Sequence, residues 1–384
     1  MRYTNALLFT EEYGFTKGSF TVEDGVFRSV ETGGLSEAVH AGDVNLGGKL
    51  VLPGLVDIHI HGAVGADFSD GESAGLEKMA RYLASKGITS FAPTSMTLPY
   101  EQLSKAFLTA VKLKRDLPKD CAEPVGINME GPFFSEKKRG AQNAAYLRSP
   151  DIGAFMELYE ECGGLIRIVS VAPELPGAYE FAEVVSRRCR VAIAHTDADY
   201  DETAAIIRAG ATHLTHLYNG MPSFHHRNPG VIGAASENDQ VTAELICDGV
   251  HSHPSAVRAA FKLFPGRICL VSDSLRGCGL PDGTYELGGQ DVILSGGEAR
   301  LADGTLAGSV SNLFDCMRNA VRFGIPVRET IAAATIRPAR VAGCDREAGS
   351  IEAGKKADFL VCSSELELEQ VYVRGVRIGP QSGP

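Results

Sequence analysis

The stretch Val51-Leu52-Pro53-Gly54-Leu55-Val56-Asp57-Ile58-His59-Ile60-His61-Gly62 is an apolar run that ends in two histidines two residues apart. In an extended segment alternate side chains share a face, so His59 and His61 point the same way at the end of a buried strand. The residues before it are β-like. Short strands start near Ala6, Ser19 and Val26, punctuated by Asp24-Gly25, Gly33-Gly34 and Gly47-Gly48. The segments near Phe359 and Val371 read alike. Two β-rich ends around a different middle predict one small β domain built from both termini.

Downstream of His61 the pattern changes. Counting the run at Leu55 as the first, short apolar runs begin at Leu55, Ile88, Val125, Ile166, Val191, Thr212, Val241 and Ile268. Helical periodicity fits between several of them, near 74–86, 101–115, 178–188, 202–209 and 254–264, with further helices near 310–323 and 328–342. Alternating strands and helices predict an α/β chain, and eight such units in roughly 250 residues match a (β/α)₈ TIM-like barrel. An open doubly wound sheet is the competing fold. It would be favoured by a Gly-x-Gly-x-x-Gly turn after the first strand, and none stands there.

Composition narrows the function classes. The chain has 384 residues, with 44% apolar and 22% charged, as in ordinary globular proteins and unlike disordered ones. The 43 glycines follow no triplet period, so collagen is excluded. No apolar run approaches the roughly 20 residues of a membrane-spanning helix, and the N-terminal segment shows no secretory core. Lys and Arg number 37 against 48 Asp and Glu, a net charge of −11. That balance argues against nucleic-acid and anionic-membrane partners, while leaving room for a small anion in a local basic pocket. The 9 cysteines are odd in number and form no Cys-x-x-Cys, which fits a reduced, cytoplasmic protein.

The chemistry lies at the strand ends. Strand one runs into His59 and His61, strand three ends at Glu130, strand five at His195, strand six at His216 and strand eight at Asp273. In a parallel barrel these ends share the face on which active sites are built. Imidazoles suit zinc, iron, cobalt or nickel, and a carboxylate can bridge two ions, so the set could surround one or two divalent metals. Such an ion lowers the pKa of water toward about 7 and polarises a carbonyl. Asp273 would accept a proton on attack and deliver it to a leaving nitrogen. His213, three residues before His216, reads as structural, and His40 as a surface residue. A serine nucleophile has no support, because no Gly-x-Ser-x-Gly elbow occurs.

The run 51–62 resembles the opening signature of the amidohydrolase superfamily. Gly349-Ser350-Ile351-Glu352-Ala353-Gly354-Lys355-Lys356-Ala357-Asp358 is similar to that superfamily's return into its β domain. The resemblance implies a metal-bearing barrel over 53–343, with a small β-sandwich from 1–52 and 344–384. Met129-Glu130-Gly131-Pro132-Phe133, His216-Leu217-Tyr218-Asn219-Gly220-Met221, Arg227-Asn228-Pro229-Gly230, Asp248-Gly249-Val250-His251 and Leu306-Ala307-Gly308-Ser309 follow in order. Together they resemble the N-acetylglucosamine-6-phosphate deacetylase family.

That resemblance implies hydrolysis of the acetamide of an N-acetylated amino-sugar 6-phosphate, with zinc or iron as the cofactor. Glu130, His195 and His216 match the family's ligands to the firmly held ion, and Asp273 matches its acid/base. His59 and His61, which some members replace, are retained here and could hold a second ion. Asn219, Gly220, Arg227 and His251 match sugar-phosphate contacts, while Leu306, Ala307 and Gly308 match the acetyl or sugar side. Arginine offers paired planar donors to phosphate. The His225-His226-Arg227 loop falls near the family's dimer interface, which implies a homodimer. After Ala141, where many relatives carry histidine, stands Gln142, an uncharged group able to hydrogen-bond a sugar hydroxyl or carbonyl. Alternatives are an N-acetylgalactosamine-6-phosphate deacetylase, a cyclic-amide hydrolase, or a barrel kept only for binding.

Overall fold

The computed structural model describes residues 1–12, 14–33 and 42–379, so His40 lies outside the described residues. Among them, eight parallel strands follow one another in chain order: Leu55–Ile60, Ile88–Ser95, Ile127–Phe133, Ile166–Val171, Arg190–Ile193, Ala211–Leu214, Thr242–Ile246 and Ile268–Val271. Each coincides with one of the runs expected from sequence. Nearly every residue in them is buried, as strands covered on both faces require. Val56, Ile58, Ala92, Ile168, Ala192, Ile246, Cys269 and Val271 pack together on the inner face with Ala339, Val341 and Ala342. The outer face packs against the helices through Leu55, Ile88, Ile127, Val169 and their neighbours. At the C-terminal rim the backbone N–H of Asp273 donates to the carbonyl of His59, and that of His61 to the carbonyl of Ser274, both at 2.9 Å. The eighth strand's end is thereby tied to the first. The architecture is a TIM-like barrel plus a small domain.

The small domain draws on both ends of the chain. Arg2–Thr10, Gly14–Glu23, Val26–Thr32, Val44–Asn45 and Leu50–Pro53 share one eight-stranded sheet with Phe359–Cys362, Leu368–Val373 and Val376–Ile378. Leu50–Pro53 pairs with Phe359–Cys362 antiparallel, which joins the two ends. The period of two sorts side chains by face. Val51, Phe359, Val361 and Tyr372 enter an aromatic core with Tyr3, Phe20 and Phe27. Leu52, Leu360, Cys362, Val371 and Val373 pack with the barrel's outer core.

The expected helices appear as Ser73–Ser85, Tyr100–Arg115, Ala178–Val185, Tyr200–Arg208, Pro254–Leu263 and Leu313–Arg322. The single helix expected near 328–342 is two, Val327–Ala334 and Ile336–Ala342, parted at Thr335 (φ −130°, ψ −90°). Pro338 explains the break. It lacks the N–H that a continuous helix needs there, and it is tolerated only in the first turn of a new helix. Two helices, Ile152–Glu161 and Gly230–Ser236, were not expected. Nor was a three-stranded antiparallel sheet of Gly283–Leu287, Gln290–Ser295 and Glu298–Leu301, inserted after the eighth strand.

Candidate metal centre and substrate cavity

Three of the candidate residues stand at equivalent places. His195, His216 and Asp273 each lie two residues beyond a barrel strand that ends at Ile193, Leu214 or Val271. Each has a positive φ, at 44°, 28° and 49°. A non-glycine residue in the left-handed region is strained, and such strain collects at functional sites. Glycines give these residues room. A Cβ on Gly220 would come within 3.1 Å of His195 Nδ1, and one on Gly308 within 3.0 Å of the carbonyl of Asp273. The first strand reaches the site by an irregularity. Its register against Ile88–Ser95 shifts between Asp57 and Ile60, so that Val56 and Ile58 fill the inner face while His59 and His61 both turn to the rim.

Four imidazole Nε2 atoms meet at one buried carboxylate. Glu130 Oε1 is 3.0 Å from His216 Nε2, 3.3 Å from His195 Nε2 and 3.5 Å from His59 Nε2. Glu130 Oε2 is 3.4 Å from His61 Nε2. Asp273 Oδ1 stands 3.3 Å from His61 Nε2 and 3.5 Å from His59 Nε2. The other ring nitrogens fix the tautomers. His61 Nδ1 faces the carbonyl of Thr94 at 3.1 Å, His195 Nδ1 that of Lys138 at 2.9 Å, and His216 Nδ1 that of Asn219 at 3.1 Å. A carbonyl only accepts, so each Nδ1 carries a proton, and each ring when neutral offers its Nε2 lone pair inward. His59 Nδ1 instead faces Glu244 Oε2 at 2.7 Å.

This donor set fits a divalent cation. Two clusters, His59-His61-Glu130 and Glu130-His195-His216, have ligand atoms mutually within 4.8 Å and share Glu130. His195 Nε2 and His216 Nε2 are 3.1 Å apart. Two nitrogens each about 2.0–2.1 Å from one tetrahedral ion would stand roughly 3.3 Å apart. His59 Nε2 is buried and has no hydrogen-bond partner among the described residues, the state of a ligand atom in wait. Without a cation the carboxylates act on the rings. Burial opposes charge on His59, but Glu244, Glu130 and Asp273 outweigh it and raise its pKa to about 9. His61 and His216 are raised for related reasons, the hydrogen bonds to Asp273 and Glu130 prevailing over burial. Conversely, burial favours neutral Glu130 and Asp273, but the surrounding histidines hold both below the usual carboxylate range.

A cavity of about 260 Å³ opens over this cluster. Of the expected substrate residues, Ala141, Gln142, Asn219, Gly220, His251, Leu306 and Gly308 line it, beside His61, Glu130, His195, His216 and Asp273. Ala307 is fully buried and does not. Arg227 is exposed and lies outside the lining, on a loop where its guanidinium contacts His226 Nε2 at 2.7 Å. Gln142 differs from expectation. Its Oε1 accepts the N–H of Thr97 at 2.8 Å, so its Nε2 must be the atom donating to Glu130 Oε2 at 2.7 Å. Its amide is engaged with the protein on both sides, which aims it at the carboxylate rather than at a sugar hydroxyl.

Sequence reasoning missed several groups. Met96, Leu287 and Thr305 line the cavity, and Gln290 on the inserted sheet donates to the carbonyl of Ala141 at 2.6 Å. Asp248 binds His251 Nδ1 at 2.7 Å and the His251 N–H at 2.9 Å, so the outer nitrogen of His251 is left to the cavity. Glu244 is fully buried beneath the histidines. Its one signal was a charged residue inside an apolar strand, which is rare without a partner. His213 is structural, as expected: it bonds Glu244 Oε1 at 3.1 Å and Thr242 Oγ1 at 2.6 Å.

Residues 50–378 match the amidohydrolase family. The chain is 38% identical over 374 residues to the N-acetylglucosamine-6-phosphate deacetylase of Bacillus subtilis (strain 168), covering 96% of this chain and 94% of that one. It is 33% identical over 371 residues to the N-acetylgalactosamine-6-phosphate deacetylase of Escherichia coli O157:H7, covering 96% of each. A solved structure of N-acetyl-D-glucosamine-6-phosphate deacetylase from Mycobacterium smegmatis, a variant in complex with N-acetyl-D-glucosamine-6-phosphate, superposes with a TM-score of 0.91 at 30% identity over 99% of both chains.

Proposed function

This chain belongs to the amidohydrolase family, and we propose that it hydrolyses the acetamide of N-acetylglucosamine 6-phosphate, releasing acetate and glucosamine 6-phosphate. The observation that carries the proposal is the convergence of four imidazole lone pairs on Glu130, with Asp273 alongside, at the floor of a cavity. The relative from Bacillus subtilis supports the glucosamine configuration.

Glu130, His195 and His216 would hold one divalent ion, zinc or iron, and His59 and His61 with Glu130 a second. The bound metal supplies water of lowered pKa and polarises the amide carbonyl. The rest falls to side chains. Asp273, ionised at neutral pH and almost buried, takes the proton lost by water as it adds to the acetamide carbon. It then passes that proton to the amide nitrogen as the C–N bond breaks, so the amine leaves neutral, the other product leaves as acetic acid that ionises to acetate in solution, and Asp273 is returned to its anion. Gln142 and the carbonyls of Thr94, Lys138 and Asn219 hold the ligand groups still, so little reorganisation is needed during the reaction.

Asn219 and His251 would bind the sugar phosphate from one side of the cavity, and Leu306 and Gly308 would face the acetyl group. Arg227, exposed beside His225 and His226, would reach phosphate across the interface of a homodimer. The reading takes 53–343 as a closed barrel and 1–52 with 344–384 as the β-sandwich. The rim bonds between His59 and Asp273 and between His61 and Ser274 support closure. A cytoplasmic setting is supported by nine unpaired cysteines. Among the described residues no helix is long and apolar enough to cross a membrane.

The test is acetate release from N-acetylglucosamine 6-phosphate, its galactosamine epimer and unphosphorylated N-acetylglucosamine. We expect the first to have the highest kcat/KM and the unphosphorylated sugar to lose it by orders of magnitude. Equal turnover with and without phosphate would contradict the proposal.

A further inference from the structure

We infer that Glu244 is a positioning residue that builds the second metal half-site, the one formed by His59, His61 and Glu130; this rests on the metal-dependent reading above. Glu244 lies in the strand Thr242–Ile246 and is fully buried. A bare carboxylate there would be costly, and three donors account for it. Oε2 accepts from His59 Nδ1 at 2.7 Å and from the backbone N–H of His216 at 3.0 Å, while Oε1 faces His213 Nε2 at 3.1 Å.

The comparison with the other rings shows what Glu244 does. His61, His195 and His216 each give their Nδ1 proton to a main-chain carbonyl. Only His59, of these four, gives it to a charged side chain. In the neutral ring, the form that binds an ion, that bond keeps the proton on Nδ1 and so leaves the lone pair on His59 Nε2, an atom that is buried and has no hydrogen-bond partner among the described residues. Without Glu244 the ring proton would find its nearest acceptors on the other side, at Glu130 Oε1 and Asp273 Oδ1, each 3.5 Å from His59 Nε2. The lone pair would then turn away from the cavity. Outer groups that orient ligand histidines in this way tune metal affinity.

The same oxygen grips the main chain of His216, which has a φ of 28°. One carboxylate thus spans the two half-sites, holding the ring of His59 in one and the backbone of His216 in the other. His213, fully buried and also bonded to Thr242 Oγ1, serves as the counter-donor that keeps the far oxygen in place. His216 has its own carbonyl to fix its ring, so the first half-site depends on Glu244 less.

The test measures metal content and affinity, independently of turnover. Wild type, Glu244→Gln and Glu244→Leu are loaded with zinc, dialysed and assayed by elemental analysis and by competition with a chromophoric chelator. Glutamine can place its oxygen where Oε2 stands and its amide toward His213, so it keeps the shape without the charge. We expect Glu244→Gln to weaken the second ion about 10–100-fold and leave the first unchanged. Glu244→Leu should retain one ion per subunit. Two ions held with wild-type affinity in either variant would overturn the proposal. If Glu244→Leu fails to fold, as judged by circular dichroism, Glu244→Gln alone decides. Wild type binding a single zinc would also overturn it while sparing the proposed function, whereas wild type binding none would contradict the proposed function itself.

Discussion

His195 Nε2 and His216 Nε2 stand 3.1 Å apart, both turned toward Glu130 Oε1. A shared proton or a shared ion accounts for so close an approach, and the Nδ1 bonds to the carbonyls of Lys138 and Asn219 turn both Nε2 atoms inward. Replacing either ring removes one edge of that grip. His195→Ala is expected to lose the first ion and to reduce deacetylation by at least 10³-fold, on the order of 4 kcal/mol in activation free energy. Elemental analysis alongside acetate release checks both parts, and full metal content in the variant would count against the assignment.

Metal uptake should displace protons. In the metal-free site the pKa of His59 is held at about 9 by Glu244, Glu130 and Asp273 against the effect of burial, and those of His61 and His216 are raised as well. Below these values the rings carry protons that an ion must expel, so apparent metal affinity rises with pH through the neutral range. Titration calorimetry in buffers of different ionisation enthalpy should find net proton release at pH 7. Binding without proton release would show that the rings are already neutral.

Gln142 separates two roles by kinetics. If its amide holds Glu130 and the Thr97 N–H, Gln142→Ala leaves two buried groups unpaired, at about 1–3 kcal/mol each. The variant should then melt lower, bind metal more weakly and lose kcat. A residue that only touched the sugar would raise KM and leave melting and metal content alone.

Much of this site was legible because His61, His195, His216 and Asp273 stand just past apolar strands, where polar residues have few structural reasons to be. His59 and Glu130 lie inside the strands Leu55–Ile60 and Ile127–Phe133, and they were legible because the apolar runs before them break off there. Glu244 escaped notice because it sits within a strand, where an acidic residue reads as a solvated face until its partners are seen. The inserted sheet at 283–301 was missed for another reason: after the eighth strand the count of βα units was complete, so Leu287 and Gln290 had no place in the pattern. Arg227 shows a different gap. Its chemistry suits phosphate, but charge and motif say nothing of reach: the loop holds it outside the lining of its own chain's cavity, which is why the proposed contact runs across a homodimer interface.

Asp358 offers a stability test away from the site. Burial raises its carboxyl to about 6, against the N–H of Arg374 at 2.6 Å, which stabilises the anion. A carboxyl with a raised folded pKa supports folding fully below its unfolded value near 3.8 and loses that support as pH rises through about 6. Asp358→Asn keeps an acceptor for Arg374 without the charge. It is expected to stabilise the protein at pH 8 by up to roughly 3 kcal/mol, with the gain shrinking as pH falls to 4. Paired thermal melts across that range check it; a variant less stable than wild type at pH 8 would show that the charge is favourable.

The central claim is that Asp273 moves the proton while other residues hold the metal, and Asp273→Asn tests it directly. Acetate release from N-acetylglucosamine 6-phosphate is measured for both proteins at matched metal content. The account predicts a loss of several orders of magnitude in kcat, at least about 10³-fold, with the metal retained. Turnover near that of wild type, with the same metal bound, would contradict it.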